Sequence, residues 1–143
     1  MRGCENALMA FAPQIAYYLD RYRRGDVADA YHSLLELGDE ALPELSTEFR
    51  AATDNQLREF LLGVIWQHRQ QSVIPLLAEA LLDSDPRVWR EAIDGLVALA
   101  SPASLEALRA ARGRQIPKQH DTEEFSRWLE EAIEQVETES QTE

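Results

Sequence analysis

Apolar residues recur along this chain at intervals of three and four, the spacing that lines one face of an α-helix. Short groups of Gly, Asp and Pro interrupt the pattern often enough to leave only short helices between them. After Pro13, residues Ile15, Tyr18, Leu19 and Tyr22 make one such face, and Gly25 should end it. Asp26 can cap a second helix, Val27 to Leu37, whose apolar face is Val27, Ala30, Tyr31, Leu34 and Leu35. Beyond Gly38, Ala41, Leu42, Leu45 and Phe49 line the next helix, with Pro43 tolerated in its first turn. Asp54 opens another, carrying Leu57, Leu61, Val64 and Ile65; its successor begins near Ser72 and carries Val73, Leu76, Leu77, Ala80 and Leu81.

Two starts are marked more sharply. In Asp83-Ser84-Asp85-Pro86 an aspartate cap directly precedes a proline at the first helical position, and Ser101-Pro102 repeats the device. Val88, Ala92, Leu96 and Leu99 follow the first, and Leu105 and Leu108 the second. Gly113 to His120 reads as a longer loop, and a last helix from about Thr122 places Phe125, Trp128, Leu129, Ala132, Ile133 and Val136 on one face. The pattern predicts one domain over residues 1–138 and a frayed acidic tail over 139–143.

The units repeat. Ala41-Leu42-Pro43-Glu44-Leu45 matches Val73-Ile74-Pro75-Leu76-Leu77 at a spacing of 32, Leu105-Glu106-Ala107-Leu108 follows at the same spacing, and Asp54-Asn55-Gln56-Leu57-Arg58 answers Asp85-Pro86-Arg87-Val88-Trp89 at 31. A fixed period of this length is the mark of stacked repeats. The aspartate-led start, Val or Leu followed by Arg, a small or apolar residue four on and then Leu resembles HEAT repeats, of the bacterial kind first noticed in bilin lyases, across about residues 13–137. Trp89 departs from the pattern, standing at the usual arginine position. The resemblance implies an all-α fold, an α-solenoid of about four HEAT-like helix pairs.

Composition agrees with a folded helical chain: 45% of residues are apolar, too many for a disordered one, and Gly and Pro number only six each. Charge narrows the partners. The formal net charge is −12, and it is uneven: +4−2 over residues 1–24, +1−7 over 25–53, +6−8 over 54–112 and +3−9 over 113–143. Such a chain repels a phosphate backbone and attracts a basic protein. Cys4 is the sole cysteine, so no internal disulfide or zinc cluster is expected, and a reducing cytoplasm suits the chain. The stretch Met1 to Ala12 is too short for a membrane span and poor as a signal peptide.

Chemistry is sparse. No phosphate-cradling glycine loop, nucleophile elbow or HExxH pattern occurs, and of His32, His68 and His120 only His32 has a carboxylate, Glu36, one helical turn away. Such an exposed pair is far more often a solvated contact than a metal site. No catalytic residue, metal or cofactor is therefore assigned. The resemblance implies that the second helix of each pair faces inward and that its polar stripe meets a partner. Those stripes are Asp29, His32, Ser33 and Glu36; Gln56, Glu59, Gly63 and Trp66; and Arg87, Arg90, Glu91 and Asp94.

The candidate partner surface is thus Asp29, Glu36, Glu59, Trp66, Arg90 and Asp94. Trp66 stands out as a large aromatic in a polar stripe, read equally well as a binding anchor or as a lid over the core between repeats. Trp89 and Trp128 fall in apolar arcs and read as core. The acidic run Glu130, Glu131, Glu134 and Glu137 reads as the solvated face of a terminal repeat. Small acidic proteins of this kind are similar to immunity or antitoxin proteins that occlude a basic toxin. The alternatives are a bilin-lyase-like or cofactor-handling protein, and a nucleic-acid enzyme on a HEAT scaffold, which the charge opposes. Open ends at both termini leave room for a homodimer.

Overall fold

A computed structural model describes residues 10–141. Cys4 and most of the apolar stretch at the start lie outside the described residues. Among those described, all regular structure is helical: eight α-helices joined by short turns and two 3₁₀ segments. The chain divides into two compact units, with the change between His68 and Arg69.

The first unit holds α1 (Ala12–Arg23), α2 (Val27–Glu36), α3 (Leu42–Ala51) and α4 (Asn55–Gln67). Helix α1 packs on α2, α3 on α4, and α2 on α4. The buried centre is Ile15 and Leu19 of α1, Ala30 and Leu34 of α2, Leu45 and Phe49 of α3, and Leu57, Leu61, Leu62, Val64 and Ile65 of α4. Gly25 and Gly38, at φ of 101° and 89°, make the two turns that side chains with a Cβ resist. A 3₁₀ turn, Asp39–Ala41, leads into α3. The Asp54 carboxylate accepts the Gln56 amide and so caps α4.

In the second unit a 3₁₀ turn, Gln71–Val73, leads into α5 (Ile74–Leu81), followed by α6 (Pro86–Leu99), α7 (Pro102–Ala110) and α8 (Gln119–Gln141). Helix α6 is central, packed on α5, α7 and α8. Its Val88, Trp89, Ala92 and Leu96 meet a core completed by Leu77, Leu81, Leu108, Phe125, Leu129, Ile133 and Val136. Asp85 caps α6 by accepting the Arg87 amide at 2.9 Å, and Ser101 caps α7 through the Ser104 amide.

The repeat read from sequence has a backbone counterpart. The two aspartate caps, Asp54 and Asp85, open α4 and α6, and each of these helices is closed by a residue in the left-handed region, Arg69 at φ 60° and Ala100 at φ 48°. Several expectations are corrected. Val27 does not join an apolar face; it is 45% exposed at the first position of α2, before the helix turns inward. Gly63 is buried with its neighbours and not part of a polar stripe, since α4 is enclosed all round over Leu61 to Ile65. Leu105 and Trp128 are half-buried, and α8 starts at Gln119, three residues before the expected Thr122. It continues through Glu139 as far as Gln141.

Candidate functional site

Of the six expected partner residues, Asp29, Glu36, Glu59 and Trp66 lie in the first unit and Arg90 and Asp94 in the second. Asp29 and Glu36 are exposed on α2. Asp29 faces the Arg21 guanidinium at 3.4 Å, and Arg21 also meets Asp26 at 3.1 Å, so one arginine of α1 holds the first turn of α2. Pairs this open to solvent contribute little to stability. Glu36 stands at the last position of α2, and His32, one turn before it, sets its ring edge-on to Tyr31.

Helix α4 brings the remaining two. Trp66, beyond the enclosed run Leu61 to Ile65, is half-buried, which places it between the two roles read from sequence. Glu59 is half-buried near the other end of the helix, next to Phe60, whose ring lies 4.4 Å from Tyr22 and 6.2 Å from Tyr31. That aromatic cluster ties α1, α2 and α4 together. Burial holds the Tyr22 phenol above its ordinary 10.0, and the negative charges of Asp54 and Glu59 add to the effect.

Arg90 of α6 is differently placed. Its guanidinium pairs with the Glu124 carboxylate and lies over the rings of Trp89 and Trp128, at 5.3 and 5.2 Å from their centroids. Trp89 in turn meets Phe125 and Trp128 edge-on. Asp94, one turn further on, is open over its residue surface, yet partial burial of its carboxyl raises that group above the ordinary 3.8.

Two polar residues escaped sequence reasoning. His68, directly after α4, is buried, with its Nδ1 3.2 Å from Asp39 Oδ1 in the turn before α3. Arg114, in the loop before α8, donates to the carbonyls of Leu81, Leu82 and Asp83 at the end of α5 and lies over the Phe125 ring. It satisfies carbonyls that a helix end leaves without intrahelical partners. Burial lowers the Arg114 pKa, with Asp83 opposing. Only the loop position of Arg114 hinted at this, because partners 31 to 33 residues away leave no local pattern.

These features define the class first: an all-α protein of short helices with repeated caps. The family follows. A family model for HEAT repeats matches residues 42–116, more than half of the 143 residues, and the chain belongs to that family. HEAT repeats generally serve as scaffolds for protein interactions. Neither the curated proteins nor the solved structures compared gave a match. Among the described residues no helix is long and apolar enough to cross a membrane.

Proposed function

We infer that this chain is a non-catalytic protein-binding module whose first unit offers a basic partner the surface of α2 and α4, with Trp66 at its centre and Asp29, Glu36 and Glu59 around it. The observation that carries this reading is Trp66 itself: after the enclosed residues Leu61 to Ile65, α4 ends in a large ring left partly open to solvent. Rings of this kind anchor interfaces because they bury much apolar area at small entropic cost. Charge supports the choice of partner, since residues 10–68 carry ten carboxylates against five arginines and no lysine. On the second unit, Asp94 and Arg90 are a further contact of the same kind, with Arg90 a rigid cation because Glu124 and two indoles already hold it.

An acidic immunity or antitoxin protein that occludes a basic toxin is the role we propose for such a module. The test is site-specific crosslinking in the native host, with a photo-reactive phenylalanine analogue in place of Trp66 and, in a second variant, in place of the exposed Arg127 of α8. A covalent adduct with a basic protein from the first position and none from the second is expected. Adducts from Arg127 alone would overturn the assignment.

A further inference from the structure

The first unit carries a second feature, away from Trp66. A groove of about 330 Å³ lies among Tyr22 and Arg23 of α1, Glu48 and Ala51 of α3, Ala52 and Thr53 of the turn, and Asp54 and Leu57 at the start of α4. Ligand pockets run from roughly 300 to 1,000 Å³, so this one fits a single long side chain and no folded element. We propose that it receives an arginine side chain presented on an extended segment of a partner protein. This goes beyond the Trp66 surface and does not depend on it.

Three features select that occupant. Ala51, Ala52, Leu57 and the Tyr22 ring supply apolar surface for the methylene stem, as long cationic side chains require. Glu48 and Asp54 supply carboxylates, and the charges of Asp54 and Glu59 are already felt at the Tyr22 phenol. The helix ends complete the field. Helices α1 and α3 finish at Arg23 and Ala51, both in the groove lining, and a helix C-terminus carries partial negative charge, while the positive start of α4 is answered by its own cap, Asp54. Arg23 is the opposing charge, one cation against two carboxylates and two helix ends. A guanidinium suits the site better than an ammonium because its planar fork pairs with a carboxylate and stacks on an aromatic ring, here Tyr22.

The test is a titration of the full-length ¹⁵N-labelled protein with acetyl-Gly-Arg-Gly-amide, followed by amide chemical shifts. Saturable shifts confined to Tyr22, Arg23 and Ala51 through Leu57 are expected. The citrulline counterpart, equal in shape but neutral, should bind about tenfold more weakly, the scale of one charge-assisted hydrogen bond. Glu48→Gln and Asp54→Asn should weaken the arginine peptide by about fivefold or more at unchanged melting temperature, since asparagine caps a helix as well as aspartate does. Trp66→Ala should titrate like the parent protein, so failure of the Trp66 surface and failure of the groove are read separately. Equal binding of the citrulline peptide, shifts that spread without saturating, or unchanged affinity in both carboxylate variants would each overturn the proposal.

Discussion

Trp89 and Trp66 show how differently the same side chain is used on the corresponding helices α6 and α4. Trp89 is fully enclosed, edge-on to Phe125 and Trp128, and its indole nitrogen finds no hydrogen-bond partner among the described residues. Trp89→Ala should cost about 3–5 kcal/mol in chemical denaturation, as large aromatic truncations in cores do. Its burial was legible because it falls in the apolar arc of α6, whereas the pairing of Arg90 with Glu124, 34 residues away, has no periodic signature. Two carboxyls should give opposite pH signatures. Asp94 is raised above 3.8 by burial, so its contribution to stability is complete below that value and is lost as pH rises through the folded pKa. Asp94→Asn should therefore gain in melting temperature on the parent between about pH 3 and about pH 7. Glu130 is lowered below 4.5 because Arg112 donates to both its oxygens at 2.9 Å, so its contribution is present above 4.5 and is lost as pH falls through the folded value. The deficit of Glu130→Gln should be small, as befits an exposed pair, and should vanish in acid.

At the scale of the helix, stability depends on ends as much as on faces, because helices this short are marginal alone. Asp54→Ala and Asp85→Ala should each lower the unfolding free energy by about 1 kcal/mol, while the Asn variants should retain it. Gly38, at φ 89° and ψ 168°, occupies a region open essentially to glycine, and a Cβ there meets no atom within 4 Å. Gly38→Ala should thus destabilise through backbone strain alone, by about 1–3 kcal/mol. The helix starts were readable because Asp-Pro, Ser-Pro and the repeat spacing of 31 and 32 agree. The 3₁₀ turns Asp39–Ala41 and Gln71–Val73 were not, since three residues are too few to separate a period of 3.0 from 3.6. Val27 was misplaced for a related reason: at the first position of α2 the helical wheel assigns a face before the helix has neighbours to bury it. Of the candidate site, the chemistry of Asp29, Glu36 and Glu59 was legible in the charge pattern, but the Arg21 contact to Asp29 and the Tyr22–Phe60 cluster come from packing between helices.

For the whole molecule, a net charge of −12 sets the terms of any encounter. Both units are acidic, by −5 over residues 1–68 and −7 over 69–143, so a basic partner would be attracted to either, and added salt would slow the encounter. Glu59→Lys should reduce both the association rate and its dependence on ionic strength, with less effect on dissociation, when binding of the crosslinked partner is followed by stopped flow. The most direct measurement of the central claim is the calorimetric affinity of that partner for Trp66→Ala. An anchor at the centre of the surface predicts binding weaker by about 2 kcal/mol, close to 30-fold, with the helical circular dichroism signal retained. Unchanged affinity, accompanied by a marked fall in melting temperature, would contradict it and make Trp66 a packing residue of α4.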